Sequence, residues 1–238
     1  MRNFKRLFFI ISILAILNVS AFAKSGFEFI LNVPLQMGIG IAPKYLKDNA
    51  GAQGEVGFSG GITAQVGYMF QMSSSLGISL LAEFGYSHDA IAMSINASSL
   101  GVGIELYANR VSASYSFDSL QVGLLPKFNI GNFAIGIGGG IKIPMKGKLT
   151  TIVLNQKNQT DLGRGDIASI ISPAILGYLK ATLDYSIFFK DNLAFNIGLI
   201  LVYNIAKDKS LTVDGKRIYY GVFDLGVELG LKFGARVN

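Results

Sequence analysis

The sequence predicts an all-β protein, an antiparallel up-and-down transmembrane β-barrel of about eight strands. Three observations support this prediction: apolar residues alternate with small or polar ones in about eight segments, the connections are alternately long and short, and the two faces differ in bulk. Residues 26–41 show the alternation best, because every odd-numbered residue from Phe27 to Ile41 is apolar. A period of two places these residues on one face of a strand.

This first segment is longer than the roughly 5–6 residues of an average soluble strand. A tilted strand needs roughly 9–11 residues to cross a membrane, so the segment can cross and still protrude. Seven more segments repeat the pattern, at residues 56–70, 76–87, 119–128, 133–143, 175–187, 193–204 and 219–233.

The connections differ in length in a regular way. Three are tight and polar, at residues 71–75, 129–132 and 190–192. Four are long, at residues 42–55, 88–118, 146–172 and 206–217. Outer-membrane barrels have short periplasmic turns and longer extracellular loops, so the long segments are expected to be free polar loops outside the cell. Short apolar runs in the second and third leave open extended hairpins or another strand pair, and hence ten strands.

Composition narrows the class further. The 238 residues contain nothing that marks a linker, so one domain is expected. Hydrophobic residues make up 50% of the chain, yet beyond the N-terminus no run of about 18 apolar residues offers a spanning helix. Cysteine is absent, which excludes disulfides and thiolate metal sites. We expect no cofactor and no metal.

The N-terminus has the pattern of a bacterial signal peptide. Arg2, Lys5 and Arg6 precede the apolar run 7–17, and a small-x-small site follows, so cleavage is predicted after Ala23. The predicted domains are a signal peptide at 1–23 and a barrel at 24–238, the alternative being a retained anchor helix. Removing three positive charges lowers the formal net charge from +6 to +3, too little to indicate a nucleic-acid partner.

Three positions interrupt the alternation. Pro34 and Pro126 each remove a backbone donor inside a predicted strand, and we expect a local bulge at each. Around Asp118 the apolar phase changes, because Tyr115 and Phe117 are odd-numbered whereas the apolar face that follows is even-numbered. A bulge or a strand start there would explain the change.

The composition of the minor face decides which face points outward. A soluble lipocalin-like barrel would turn its apolar face inward and cover its outside with Lys and Glu. Here the minor face is mostly Gly, Ser, Asn, Gln and Thr, which suits a crowded interior, whereas bulky Ile, Leu and Phe suit lipid. The sequence therefore predicts a membrane barrel with its apolar face outward.

The charged residues of the minor face then lie in the lumen, where we expect an internal salt-bridge network. They are Glu28, Glu83, Lys127, Lys142, Lys180, Asp184, Asp224, Glu228 and Lys232. The alternative is that these groups line a narrow conducting path, although an eight-strand interior is only wide enough to be filled by side chains.

Aromatic residues on the apolar face cluster at the short-turn end, where a periplasmic-side girdle is expected. The predicted girdle comprises Phe27, Phe29, Tyr68, Phe70, Phe128, Phe133, Tyr185, Phe195 and Phe233. Phe58, Tyr86, Tyr203 and Tyr219 would mark the opposite rim.

Taken with the export signal and the Gly-rich lumen face, this pattern resembles bacterial outer-membrane β-barrel proteins of the OmpA and OmpX type, eight-stranded barrels. The resemblance covers residues 24–238 and is architectural. It implies a structural barrel, an adhesin, another surface-interaction protein or a small pore, located in the bacterial outer membrane. One departure is the C-terminus: such barrels usually end on an aromatic residue, whereas Phe233 here lies five places from the end.

A catalytic role is not expected. His88 stands between Ser87 and Asp89, which are the residue types of a hydrolase. Adjacent residues in a strand point to opposite faces, so neither neighbour is presented to His88 from its own side. A solvated rim histidine is the better interpretation, and we predict that the protein is not an enzyme.

The long loops offer the surface for partners. The two later loops are the more basic, through Lys146, Lys148, Lys157, Arg164, Lys207, Lys209, Lys216 and Arg217. We therefore expect an adhesin-like monomer that contacts outer-membrane lipid and binds acidic ligands such as lipopolysaccharide headgroups, host glycans or mucins. A small-solute or ion pore and a secreted lipid or ligand carrier remain as alternatives.

Overall fold

The computed structural model describes residues 25–100, 110–153, 156–171, 173–213 and 216–237. The predicted signal peptide at 1–23 lies outside these residues and stays a prediction. The strands are β1 (Gly26–Ile41), β2 (Gln53–Gln71), β3 (Leu76–Asn96), β4 (Arg110–Ile130), β5 (Phe133–Val153), β6 (Gln156–Leu162), β7 (Leu176–Lys190), β8 (Leu193–Val213) and β9 (Lys216–Gly234). The helices are α1 (Lys44–Ala50), α2 (Arg164–Ile170) and a 3₁₀ turn at Ala97–Leu100.

Eight of these strands form a closed antiparallel ring. Strands β1 to β5 pair in sequence, β5 pairs with β7, β7 to β9 pair in sequence, and β9 pairs back to β1. Strand β6 pairs with β5 alone and stands beside the ring as a hairpin arm. The predicted up-and-down barrel is confirmed, and the ten-strand alternative is wrong for the part of the chain that the structure describes.

The apolar face points outward. On β1 the odd-numbered side chains are exposed, Leu35 at 55% and Ile39 at 56%, whereas Asn32 and Gln36 are buried. The same arrangement recurs around the ring, so a belt of Ile, Leu, Val and Phe surrounds a polar interior. This excludes the lipocalin-like arrangement, because such a belt is stable only against lipid. None of the helices in the described ranges has the length and apolar character needed to span a membrane.

The long segments are not free polar loops, and that expectation is wrong. Strands β3 and β4 pair in one uninterrupted register from Leu76↔Ile130 to Asn96↔Arg110, so most of 88–118 is sheet. The pattern of the two strand faces is inverted in this region. The inward positions, which are polar within the membrane, here carry apolar residues such as Ile91 and Phe117, both buried. The outward apolar face therefore ends where the strand leaves the membrane, and the sequence pattern of a membrane strand ends with it.

The first long connection is also ordered. Helix α1 ends at Gly51, whose φ of 57° lies in the left-handed region that favours glycine. The Arg110 guanidinium donates to the Gly51 carbonyl and to the Asn96 side chain, both at 2.9 Å. Residues 42–55 are thereby tied to the tops of β3 and β4.

Neither proline makes a bulge, so that prediction is wrong. The β1–β2 register is the same before and after Pro34, which itself lies opposite Glu228 on β9. The β4–β5 register likewise continues unchanged past Pro126, which lies opposite Leu80 on β3. Pro34 has no partner on β2, and Pro126 has none on β5. The backbone N–H that each proline lacks is therefore not needed by the sheet, and no residue is inserted.

The register shift expected near Asp118 exists, but the extra residue is on the neighbouring strand. Asp118 lies opposite Lys146 and Ser119 opposite Pro144, which leaves Met145 as the additional residue of β5. The β3–β4 ladder does not shift there. The bulge exchanges the faces of β5, because one inserted residue moves every later side chain to the other side.

The outer end of the barrel is closed by an apolar plug. Its buried members are Ile91, Phe117, Leu162, Ile167, Ile171, Leu176, Ala206 and Val222. Ile167 and Ile171 come from α2 and the residue after it, and α2 packs against β5, β6 and β8. Since β7 begins only at Leu176, the helix closes the wall between the β5–β6 arm and β8.

The inner end is covered by the C-terminal tail. At Gly234, φ is 119°, and the chain turns so that the Ala235 N–H donates to the Phe27 carbonyl at 3.2 Å. Val237 is 4% exposed and contacts the position of Gly77. The last strand therefore ends one residue after Phe233, which remains on the lipid-facing surface 6.0 Å from Phe29 between ring centroids.

We expect Ile167→Asp to detach α2 without unfolding the barrel, because a charge in the apolar plug costs several kcal/mol while the membrane ring keeps its own contacts. Trypsin should then cleave after Arg164, and heat-modifiable migration on gels should persist. The matched control is Ser169→Asp on the exposed side of the same helix, which should stay resistant. Equal resistance of both variants would contradict the plug.

Candidate functional site

The charged residues of the lumen lie at three levels, and all of them except Asp224 pair with an opposite charge. All nine predicted lumen residues are buried. At the level nearest the short turns, Lys232 pairs with Glu28, and Lys127 Nζ lies 2.7 Å from Asp184 Oδ2. Ion pairs in a low-dielectric interior stabilise only when the remaining hydrogen bonds are also made. Thr182 supplies one of these, from its hydroxyl to Asp184 at 3.0 Å.

The middle level is centred on Lys180. Its Nζ lies 2.7 Å from Glu83 Oε2 and 3.4 Å from Glu228 Oε2, so one ammonium group serves two carboxylates. Glu83 also accepts hydrogen bonds from Gln65 at 2.9 Å, from Tyr178 at 3.1 Å and from Gln121. Five strands are joined through this one carboxylate and its lysine.

The level nearest the plug contains a residue that sequence reasoning missed. Asp89 is buried, and Lys142 Nζ lies 2.6 Å from its Oδ1. Asp89 is not among the predicted lumen residues, although its odd number on β3 gives it the same inward phase as Glu83. Asp224, at the same level, accepts from Ser59 at 3.0 Å and Asn204 at 2.7 Å.

Glycines on the minor face make room for these carboxylates. A Cβ added at Gly38 would collide with the Asp224 carboxylate, and one added at Gly198 would collide with that of Asp184. A void of about 20 Å³ bordered by Gln36, Lys142 and Tyr178 leaves space for about one water molecule. The interior is thus filled by paired side chains, which favours a structural role over a conducting path.

The predicted girdle residues lie on the lipid-facing side at the short-turn end, and several touch. Ring centroids are 4.8 Å apart for Tyr68 and Phe70 and 4.7 Å apart for Phe133 and Tyr185. Amphipathic aromatic rings favour this depth in a bilayer. Arg236 of the C-terminal tail lies over the Phe188 ring, 4.7 Å from its centroid.

A second polar cluster lies on the outside of the barrel, directly above the apolar belt. Asp118 Oδ1 lies 2.7 Å from His88 Nδ1 and accepts from the Tyr86 hydroxyl at 2.7 Å, while Lys146 Nζ lies 3.3 Å from Oδ2. Partial burial raises the pKa of the Asp118 carboxyl, but the bonds to His88, Tyr86 and Lys146 outweigh it and hold that pKa below its ordinary value. Asp118 is therefore a fully bonded carboxylate.

This cluster borders an open cavity of about 390 Å³ between β4 and the β5–β6 arm. Ser116 lines it with His88 and Asp118, the residue types of a hydrolase. The Ser116 hydroxyl, however, donates to the Lys148 carbonyl at 3.5 Å. Serine and histidine are therefore not arranged as nucleophile and base.

The structure gathers only some of the predicted basic residues. Lys146, Lys148 and Lys157 share the outer face of the β5–β6 arm, because Lys146 and Lys148 lie two residues apart on β5 and Lys157 is opposite Ile152 on the same face. We call these three residues the basic face. Arg164 begins α2, and Lys209 Nζ donates to the Ala168 carbonyl at 3.1 Å. The side chains of Lys216 and Arg217 lie outside the described part of the structure, and Lys207 is half-buried on β8.

No protein-family model and no curated protein matches the chain. Solved structures do match in part. Ail, the attachment invasion locus protein of Yersinia pestis, is 13% identical over 87% of this chain and 98% of its own, with a TM-score of 0.37. Ail has also been solved with the heparin analogue sucrose octasulfate.

Two further matches cover similar shares. The neisserial surface protein NspA is 9% identical over 87% of this chain and 96% of its own, with a TM-score of 0.41. The outer membrane protease OmpT from Escherichia coli is 7% identical over the same shares, with a TM-score of 0.39. The chain itself has a closed ring of eight strands, an outward apolar belt, short turns at one end and extended hairpins at the other, which is the architecture of small bacterial outer-membrane barrels. The protein is a closed, eight-stranded β-barrel with a lipid-facing apolar belt.

Removing the central lysine should be costly. Lys180→Met leaves Glu83 and Glu228 buried without their shared ammonium group, and we expect the free energy of unfolding in detergent to fall by roughly 3–5 kcal/mol. Adding Glu83→Gln and Glu228→Gln should restore most of that loss, because the uncompensated charges are then gone. Leu179→Met, on the lipid side of the same strand, is the control. A loss below about 1 kcal/mol for Lys180→Met would show that the network is not structural.

The Asp118 cluster should give a pH-dependent increment of stability. Because its pKa is lowered in the folded state from an ordinary value of 3.8, the increment is present above that value and is lost as the pH falls below it. Between about pH 6 and about pH 3, the heat-modification midpoint of the wild type should fall further than that of Asp118→Asn. Parallel curves for the two proteins would refute the contribution.

Proposed function

We propose that this outer-membrane barrel is a surface-interaction protein that binds acidic, polyanionic partners through the basic face. The observation that carries the proposal is the outward placement of Lys146, Lys148 and Lys157 on one sheet that stands above the membrane. The Lys146 side chain is 72% exposed and that of Lys148 is 45% exposed, so both ammonium groups can meet a partner.

The structural framework supports binding in preference to catalysis or transport. The β5–β6 arm is held from inside by Leu149 and Leu162, which pack into the plug, so the lysines stand on a rigid surface and lose little freedom when a partner binds. A pore is not favoured, since paired side chains fill the lumen and the plug closes its outer end. At the Asp118 cluster the Ser116 hydroxyl donates to the Lys148 carbonyl, so serine and histidine do not form the nucleophile–base pair of a hydrolase.

The partner class follows from charge and exposure. Lys148 is paired only loosely with Asp161, at 3.8 Å, and Asp161 is 91% exposed. Such a surface pair is worth about 1 kcal/mol or less, so a sulfate or phosphate ester can replace it at little cost. Sulfated or phosphorylated polysaccharides match a row of lysines on a flat strand surface, since they carry repeating charges at a spacing that flexible side chains can meet.

Deleting the whole segment 146–172 would be an ambiguous test, because it removes part of the plug as well as the basic face. Charge substitution separates the two. The mature barrel in lipid nanodiscs should bind immobilised heparin and elute at a defined salt concentration, which should drop in the variant Lys148→Gln with Lys157→Gln. The matched control is Lys44→Gln with Lys47→Gln on α1, two exposed lysines on the same side of the membrane.

Unchanged elution of the Lys148→Gln, Lys157→Gln variant, or an equal drop in the α1 control, would refute the basic face as the binding surface. Failure of the wild type to bind any sulfated or phosphorylated polysaccharide would leave a purely structural role for the barrel.

A further inference from the structure

The lumen contains more carboxyl groups than ammonium groups. With Asp89 included, six buried carboxyl groups occupy the interior of the barrel against four buried lysines, in the part of the chain that the structure describes. If every group were ionised, two negative charges would have no counterpart. An uncompensated charge in a low-dielectric interior is so costly that the group gives up its charge instead. The interior therefore needs positive charge that its own lysines do not supply.

One of these two charges lies in the layer directly beneath the plug. Asp89, Lys142 and Asp224 share this level, and we call them the sub-plug layer. Lys142 Nζ lies 2.6 Å from Asp89 Oδ1, whereas none of the ion pairs among the described residues includes Asp224, which is fully buried. The other surplus charge is divided within the middle level, where Lys180 serves two carboxyl groups. The sub-plug layer thus holds two carboxyl groups and one ammonium group.

The sub-plug layer has apolar residues immediately above it. Phe117 lies opposite Asp89 in the β3–β4 ladder, and Val222 is the inward residue of β9 two places before Asp224. Phe117 and Val222 both belong to the plug. A charge at the boundary of an apolar cluster cannot be hydrated unless the cluster moves. An ionised Asp224 would therefore weaken the plug, and a neutral Asp224 would not.

The hydrogen bonds around Asp224 also call for a neutral carboxyl group. Ser59 Oγ donates to Asp224 Oδ1 at 3.0 Å, and Asn204 Nδ2 donates to Asp224 Oδ2 at 2.7 Å. The oxygen of the same amide group, Asn204 Oδ1, is buried and has no hydrogen-bond donor among the described residues. A buried acceptor without a donor is destabilising. A carboxylate has no hydrogen to offer it, whereas a carboxylic acid carries an O–H group that can donate.

A proton fits this place better than a metal ion does. A Cβ added at Gly38 would already collide with the Asp224 carboxyl group, and the void of about 20 Å³ in the lumen borders Asp89 and Lys142 but not Asp224. A metal ion such as Ca²⁺ needs about 6–8 oxygen ligands, and the described ranges contain no group of three or more His, Cys, Asp or Glu side chains that could hold one. A proton takes up no volume and binds to a single oxygen.

We propose that Asp224 holds a proton at neutral pH and that this proton keeps the plug seated. The charged groups that face Asp224 are Asp89 on β3 and Lys142 on β5. The neighbouring positions on β1, β2 and β8 are uncharged, namely Gly38, Ser59 and Asn204. When the proton leaves at alkaline pH, the sub-plug layer gains a negative charge, and water must enter beneath the plug to hydrate it. Because the folded chain binds one proton that the unfolded chain has already released at neutral pH, its stability falls as the pH rises.

The proton can be detected by infrared spectroscopy of the purified barrel in detergent at neutral pH. The variant is Asp224→Asn, which has nearly the same size and no proton to lose, and the control is Asp118→Asn, which removes an ionised carboxylate outside the barrel. The C=O stretching band of a protonated carboxyl group should appear in the difference between the wild type and Asp224→Asn, and not in the difference between the wild type and the control. Absence of the band from the first difference would overturn the proposal. A stoichiometric metal ion that elemental analysis finds in the wild type and not in Asp224→Asn would also overturn it.

The effect on the plug is measured by trypsin cleavage after Arg164 between about pH 7 and about pH 9.5. Rates relative to Asp224→Asn at each pH remove the pH dependence of trypsin itself. Relative cleavage of the wild type should increase as the pH rises, and Asp118→Asn should follow the wild type, while heat-modifiable migration shows that each variant is folded. A constant ratio of wild type to Asp224→Asn would show that the proton does not hold the plug. Neither measurement involves the basic face, so its failure leaves the proposed polysaccharide binding intact.

Discussion

The closure of the ring by β1 and β9 is the constraint on which the rest of the structure depends. In hydrocarbon no water can satisfy an open strand edge, so every backbone donor and acceptor needs a partner within the sheet. The pairing from Glu28↔Gly234 to Ile41↔Gly221 provides it along the first strand from Glu28 onward. Once eight strands close, the interior is narrow, and glycines such as Gly38 and Gly198 become necessary where carboxylates cross it.

The interior changes character along the barrel axis. Inside the membrane it is a bonded network around Lys180, Lys127 and Lys142, surrounded by an apolar exterior. Above the membrane it becomes the apolar plug of Phe117, Ile167 and their neighbours, surrounded by polar strand faces. The chain therefore follows the rules of a membrane protein at one end and those of a soluble protein at the other, and the bulge at Met145 lies where the two meet.

The sequence predicted the part of the fold in which apolar side chains point outward to lipid and small or polar ones point inward. Strand β1 was predicted to the residue because bulky side chains meet lipid along its full length, and the closed ring of eight followed from repetition of that rule. The plug was missed because the inversion at Ile91 and Phe117 resembles loss of pattern, and α2 is too short to show a helical period. Asp89 was missed because it lies beyond residue 87, where the predicted strand ends, although it shares the inward phase of Glu83. The Asp118 cluster requires the cross-strand register, which no single segment contains.

The plug gives the extracellular portion of the chain an anchor that does not involve its outer surface. Ile91, Phe117, Leu162 and Ile167 hold the β3–β4 and β5–β6 hairpins from within, while serines, lysines and threonines cover them from without. Mutations on the outer side can therefore accumulate without loosening the hairpins or the membrane ring. Substitutions should therefore be tolerated best at the outward positions of residues 88–96, 110–118, 146–153 and 156–162, where they leave the plug beneath unchanged.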